Sequence, residues 1–287
     1  MSYVIENVAL YENDEIKQTN FVIKHNRIYS RDTSVNKLRF TRMRMDGFIM
    51  TAGETVIGNF QQWQKEGTSY VEKIVMLGAT TVLFPIDIQF EYQLPKRIFA
   101  AKKNLSSFPL DYCLILRLPL SLLKTSVVRY CKQQRIPVII TIIQTEVDLS
   151  RVPWSWLKEA FFPYKLVFIP QLIHEQKETM EKWDEILKQE KIPHCSTLLT
   201  DHQFLSTELL KLIGLYPFKG TLRNNGEISY NFIREKHKYC LINKEKRYYD
   251  KIECTIFKNQ VIRVGNSILL PKNPGVELCI KVPGFFE

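Results

Sequence analysis

Pro137-Val-Ile-Ile-Thr-Ile-Ile143 is apolar at every position but Thr141. A strand apolar on both faces is one covered on both faces, as in a parallel sheet with helices packed outside it. Runs of the same kind occur at Gly47-Phe-Ile-Met50, Thr80-Thr-Val-Leu-Phe-Pro85, Tyr112-Cys-Leu-Ile-Leu116, Lys165-Leu-Val-Phe-Ile169 and Cys195-Ser-Thr-Leu-Leu-Thr200. Helix-like stretches separate them, at Tyr70 to Leu77, Leu120 to Gln134, Gln176 to Glu190 and Ser206 to Ile213. Strand and helix alternating in this way predict an α/β fold. Six such strands fit between residues 47 and 217. A complete eight-stranded barrel takes about 250 residues, so the expectation over 51–217 is a shortened or open β/α barrel.

The two ends of the chain alternate with a period of two instead. Tyr3-Val-Ile-Glu-Asn-Val-Ala-Leu10 and Phe21-Val-Ile-Lys-His-Asn-Arg-Ile-Tyr29 are strand-like, with Glu12-Asn-Asp-Glu15 between them. His25-Asn26 marks a turn, because Asn tolerates positive φ. Near the other end, Glu253-Cys-Thr-Ile-Phe257, Gln260-Val-Ile-Arg-Val264 and Ser267-Ile-Leu-Leu270 are separated by Lys258-Asn259 and Gly265-Asn266. Two strand-rich ends around a different middle predict one composite β-sandwich from residues 1–50 and 218–287.

The 287 residues carry a formal charge of +10, spread along the chain, and 45% of them are hydrophobic. That charge permits nucleic acid, an acidic protein or an anionic surface as partner and selects none of them. No uncharged apolar run reaches the length of about 18 residues that a spanning helix needs. The opening Met1-Ser2-Tyr3-Val4 shows no basic segment followed by an apolar one, so no leader is expected and the cytoplasm is the expected compartment. Cys113, Cys131, Cys195, Cys240, Cys254 and Cys279 are scattered without a CxxC pair, the pattern of buried small hydrophobes rather than a disulfide framework or zinc cluster. A glycine-rich phosphate loop and a Gly-x-Ser-x-Gly elbow are both missing from the sequence.

Four stretches, in order, carry a resemblance. They are the opening strands Tyr3 to Leu10 and Phe21 to Ile28, then Gly78-Ala-Thr-Thr-Val-Leu83, Leu199-Thr-Asp-His202 and Gly214-Leu-Tyr-Pro-Phe-Lys-Gly-Thr221. They resemble the metal-dependent amidohydrolases, above all dihydroorotase and dihydropyrimidinase. The last stretch is the most specific. The resemblance implies a TIM-like barrel with a small sandwich built from both chain ends, a zinc-type metal centre and hydrolysis of cyclic amide C–N bonds.

The metal ligands that the resemblance implies are missing. The family's first barrel strand ends in an H-x-H pair, and the matching stretch Gly47 to Phe60 places Gly58 and Phe60 there. The fourth strand, Pro137 to Ile143, has Ile and Thr where many relatives carry a bridging lysine. The segment for two further histidines is largely deleted. Zinc needs about three or four N, S or O ligands.

Asp201 matches the family's catalytic aspartate and His202 its substrate-holding neighbour. Without metal, Asp201 is alternatively a cap for the helix near Ser206 or a surface carboxylate. His174, His194, Asp201 and Glu54 form a conceivable rebuilt site, but His194 precedes its strand and so belongs at the opposite end from Asp201.

The run His237 to Tyr249 is basic and aromatic, fit for a hydrated sheet edge or for stacking nucleic-acid bases. Trp154-Ser-Trp156 with Phe161-Phe162 is either a plug for the shortened core or a partner patch. The expectation is a non-catalytic, dihydroorotase-like pseudoenzyme without cofactor, scaffolding or regulating a protein partner or self-associating. The alternatives are a hydrolase of cyclic amides with a reduced zinc site and a nucleic-acid binder.

Overall fold

The computed structural model describes residues 2–31, 38–173, 177–238 and 248–284. The N-terminal strands are β1 (Ser2–Glu12), β2 (Glu15–Lys24), β3 (Arg27–Arg31), β4 (Thr41–Arg44) and β5 (Phe48–Ala52). The middle follows as β6 (Glu54–Ile57), α1 (Phe60–Glu66), α2 (Thr68–Met76), β7 (Ala79–Asp87), α3 (Leu94–Leu105), β8 (Asp111–Pro119), α4 (Thr125–Gln134), β9 (Val138–Ile143), α5 (Glu146–Ser150), α6 (Trp154–Phe161), β10 (Val167–Leu172), α7 (Lys177–Gln189) and α8 (Thr207–Ile213). Strands β11 (Tyr230–Arg234), β12 (Ile252–Phe257), β13 (Gln260–Val264) and β14 (Ser267–Ile268) complete the chain.

These elements make a mixed α/β fold with two sheets. The first runs β14-β13-β12-β11-β5-β1-β2-β3, with β4 added beside β1, so strands from both chain ends share one continuous sheet. Its tight hairpins lie at Asn13-Asp14 (φ 53° and 63°), His25-Asn26 (51° and 58°) and Lys258-Asn259 (47° and 65°). Two successive positive φ values make the turn whose twist matches that of the flanking strands. A core of Ile5, Leu10, Phe21, Ile28, Met50 and Phe232 lies on one face of this sheet.

The second sheet is a curled parallel half-barrel with the order β10-β9-β8-β7-β6. Five strands form it, and they are not the expected set. Residues 48–52 pair with β11 in the antiparallel sheet instead, and Glu54–Ile57 takes the barrel position. Cys195 to Thr200 is not a strand; the adjoining His194 makes an isolated parallel bridge to Phe168. With Ser196 and Thr197 exposed to solvent, that segment lacks the two apolar faces that a central strand buries.

Chain contacts divide the described structure into two compact units, residues 1–55, 66–81 and 217–273, and residues 56–65, 82–216 and 274–287. In the second unit, alternate strand residues Ile57, Leu83, Ile115, Ile140 and Ile169 share one core with Leu205, Leu209, Leu210, Ile213 and Ile280. Thus α8 and the C-terminal tail cover the face that a closed barrel would fill with side chains from its own strands. On the other face, Phe84 and Phe108 meet edge to face at 5.1 Å, as do Trp154 and Trp183 at 5.8 Å.

Both margins of the half-barrel are met by its own chain. At β6, Ile57 N–H donates to Gln203 O (3.0 Å) and Ile57 O accepts from His202 N–H (2.8 Å). At β10, Phe168 N–H donates to Pro193 O (3.0 Å) and Cys195 N–H to Phe168 O (2.9 Å). Pro170 lies two residues further on in the same outward register and offers no N–H to a partner strand.

The four expected helices form within a few residues of their expected bounds, except at α4. A turn at Leu120–Leu122 and the extended Lys124 (φ −122°, ψ 162°) interrupt the expected Leu120 to Gln134 helix, which starts at Thr125. At α8, Ser206 caps the N-terminus by accepting from Leu209 N–H at 3.2 Å, and Gly214 ends the helix at φ 86°.

Candidate functional site

Parallel strands direct their functional side chains from their C-terminal ends. There β7 ends in Asp87, and β8 carries Arg117 two residues before its end. Asn59 lies two residues past the end of β6 and is the residue before helix α1. Asp201 belongs to the segment that runs beside β6, where Val56 and Phe204 form an antiparallel bridge.

Period-two alternation decides which of these side chains face the site. Ile57, Leu83 and Ile115 point into the core beneath α8, so Asn59, Asp87 and Arg117, at matching parity, stand on the rim of that same face. Gly58 faces the other way, since a Cβ there would lie 2.4 Å from Val82 Cγ1 and 2.8 Å from Phe84 Cε1. Phe60 also faces that side, edge-on to Phe84 at 6.3 Å between centroids. The inward pair at the end of the first parallel strand is therefore Ile57 and Asn59. The expected correspondence through Gly58 and Phe60 is one residue out of phase.

The site is a set of charge-assisted hydrogen bonds. Arg117 grips Asp87 with both arms, Nε to Oδ1 at 2.5 Å and a terminal nitrogen to Oδ2 at 2.9 Å. Gln61 donates to the same carboxylate at 3.5 Å. Asn59 uses its amide nitrogen to donate to Asp201 Oδ2 at 2.6 Å, while its Oδ1 accepts from Gln62 N–H at 2.9 Å and caps α1. The hydrogen-bonded Asp87 carboxylate raises the pKa of the Arg117 guanidinium; burial works against this, and the charges of Asp87 and Asp201 reinforce it.

Asp201 and His202 occupy a turn in which Gln203 N–H donates to Thr200 O at 3.2 Å and His202 has φ 62°. Asp201 does not cap α8, because Ser206 performs that task. His194 lies beside the start of β10, bridged to Phe168, with Nε2 3.0 Å from Asp184 Oδ1 and Nδ1 2.8 Å from Ile192 O. His174 lies outside the described residues, as does most of the His237 to Tyr249 run. The Trp154 cluster divides. Trp154 is buried and donates to Leu149 O at 3.0 Å, whereas Trp156 and Phe162 are each 70% exposed.

The pocket over Asn59, Gln61, Asp87, Arg117 and Asp201 encloses about 130 Å³, well under the roughly 300 Å³ at the low end for organic ligands. A larger groove of about 630 Å³ lies between the loops after β8 and β9, lined by Ser121, Lys124, Gln144, Arg151 and Trp156.

A catalytic zinc fits this donor set poorly. Ile57 and Ile140 face inward at the first and fourth positions of interest and carry no lone pair. The two carboxylates are already engaged by Arg117 and Asn59. Among the described residues, no three His, Cys, Asp or Glu side chains gather closely enough to hold a metal ion. Sequence reasoning found Asp201 but missed Asn59, Asp87 and Arg117. The available signal was Arg117, a lone charge inside the apolar run Tyr112 to Leu118.

The chain matches no protein-family model and, by sequence, no curated protein. Solved structures match it in fold. A D-hydantoinase superposes with a TM-score of 0.67 at 9% identity, covering 99% of this chain and 100% of that one. A dihydropyrimidinase from Brevibacillus agri NCHU1002 gives 0.63 at 8% identity, covering 99% of each chain. A beta-aspartyl dipeptidase from Fervidobacterium islandicum AW-1 gives 0.57 at 10% identity, covering 95% of this chain and 98% of that one. The chain has the amidohydrolase fold that these structures share. Among the described residues, no helix is long and apolar enough to cross a membrane.

Proposed function

We propose that this chain is a non-catalytic, dihydroorotase-like protein of the amidohydrolase fold, with a scaffolding or regulatory role. The observation that supports this is the occupation of both site carboxylates by the protein's own donors, Asp87 by Arg117 and Asp201 by Asn59. A hydrolytic metal centre needs carboxylate and imidazole lone pairs free to converge on the ion. Here the inward position next to Asn59 belongs to Ile57. A protein partner or a second copy of the chain is the proposed ligand of such a scaffold, and the cytoplasm its proposed compartment. Light scattering at working concentration distinguishes self-association from a monomer awaiting another protein.

The second reading is a metal-dependent hydrolase of cyclic amide C–N bonds with a reduced zinc site. The fold shared with D-hydantoinase and dihydropyrimidinase supports it, as does Asp201 beside the end of β6. Fold alone does not assign chemistry.

The deciding experiment is elemental analysis of protein purified without chelator or metal-affinity tag, together with turnover assays on hydantoin, dihydrouracil and dihydroorotate. Metal well below one equivalent, with no turnover, supports the non-catalytic reading. One or more equivalents, with turnover that Asp201→Ala abolishes, establishes the second reading and overturns the first.

A further inference from the structure

We infer that Arg117 is the resident counter-cation of the strand-end site, its guanidinium taking the charge-balancing part that a bound metal takes in hydrolases of this fold. The inference rests on the proposed metal-independent reading and deepens it. Asp87 and Asp201 line one small pocket, and carboxylates gathered in one site call for a positive counter-charge. A metal ion is one solution. A guanidinium is another, because it never loses its proton under ordinary conditions and its planar fork matches a carboxylate with two parallel hydrogen bonds.

Arg117 has that geometry toward Asp87, at 2.5 and 2.9 Å. The pair is only partly solvated, with side-chain exposures of 28% for Arg117 and 35% for Asp87. Arg117 also feels the charge of Asp201, whose own hydrogen bond comes from the neutral amide of Asn59. Arg117 is thus bonded to Asp87 and shares with Asp201 a pocket that Arg97 also lines. The position matters as much as the charge. Cys113 and Ile115, four and two residues earlier on the same face of β8, are core residues, so Arg117 is the point at which that strand's inward row changes from apolar packing to ion pairing.

The test is thermal unfolding of the full chain and of Arg117→Met, Arg117→Lys, Asp87→Asn and the double variant Arg117→Met with Asp87→Asn. Each is measured with EDTA and with added manganese or zinc. The expected wild-type midpoint is unmoved by chelator or by either metal. Arg117→Met lowers it by about 3–8 °C, Arg117→Lys by less, and adding Asp87→Asn to Arg117→Met recovers part of the loss. A loss on chelation of the wild-type protein overturns both this inference and the metal-independent reading. Strictly additive single effects, or an Arg117→Met protein as stable as wild type, overturn the role of Arg117 alone. If Arg117→Met does not fold, the ranking of Arg117→Lys against Asp87→Asn decides: a lysine that retains most of the stability supports the counter-cation, and one as damaging as the lost fold overturns it.

Discussion

Lys219 Nζ lies 2.9 and 3.0 Å from the two carboxylate oxygens of Glu227, with the lysine side chain only 5% exposed. This pair gives a physical reason for the Gly214-Leu-Tyr-Pro-Phe-Lys-Gly-Thr221 stretch. Gly214 ends α8 in the left-handed region, and a Cβ there would come within 2.7 Å of Val282 O. Gly220 turns the chain at φ 81°, and the Thr221 hydroxyl donates to Glu12. The most specific signature in the sequence thus supplies a helix end, a turn and a buried ion pair.

Removing one partner of a buried ion pair leaves the other uncompensated, at a cost of about 3–5 kcal/mol. Glu227 is about one quarter exposed, so Lys219→Met should lose toward the lower end of that range, with part of the loss returned by a second change, Glu227→Gln. Denaturant unfolding of the single and double variants measures both. Equal stability of Lys219→Met and wild type would show the pair to be dispensable.

Gly58→Ala should destabilise by about 1–3 kcal/mol, the usual cost of overpacking a core, because the added methyl meets Val82 and Phe84 in the packed layer. Histidines placed at Gly58 and Phe60 should for the same reason bind no zinc. Histidines placed at Ile57 and Asn59 project from the face that bears Asp87, the first into the core and the second onto the rim. Zinc titration of both double variants separates the two phases of the strand.

Asp184 is held down to about 2, first by Lys188, then by Ser196, with His194 adding a smaller effect against the cost of burial. A carboxyl depressed in the folded state contributes stability above its unfolded value of about 4 and loses it as pH falls toward the folded value. The difference in stability between wild type and Asp184→Asn should therefore be present at neutral pH and shrink between about pH 4 and pH 2. A difference constant across that window would remove Asp184 from the acid response.

The tail is stitched under the half-barrel. Gly275 N–H donates to Phe108 O (2.8 Å), Val276 N–H to Asp111 Oδ1 (2.8 Å), Leu278 N–H to Tyr112 O (2.7 Å), and the Tyr164 hydroxyl to Ile280 O (2.9 Å). A Cβ on Gly275 would stand 1.9 Å from Leu110 O, a backbone atom that cannot step aside. Gly275→Ala should free the tail to early cleavage in limited proteolysis and lower the unfolding midpoint. Cleavage at the wild-type rate would show that the tail does not depend on this contact.

Burial raises the thiol pKa of Cys113, Cys131 and Cys279 alike, and of these three only Cys279 is exposed. A thiolate is the reactive form, so alkylation followed by mass mapping should mark Cys279 in the folded protein and reach Cys113 and Cys131 only on unfolding. Labelling of either buried thiol under native conditions would contradict this packing.

The sequence by itself determined the local features. The runs at Thr80 to Pro85, Tyr112 to Leu116 and Pro137 to Ile143 form parallel strands. His25-Asn26 and Lys258-Asn259 form tight turns, and Ser206 to Gly214 carries both ends of a helix. Each depends on the periodicity or φ preference of residues within a few positions of one another, and such preferences act wherever the segment lies.

Tertiary structure alone decided the rest. It set the phase of the first parallel strand, with Asn59 inward and Gly58 outward, and moved residues 48–52 into the antiparallel sheet. It laid α8 and the tail over the half-barrel's inner face, and it joined Asp87 to Arg117 across 30 residues of chain. A shift of one residue exchanges the two faces of a strand without changing its composition. Only the neighbours that it packs against, distant in sequence, determine which face becomes the site.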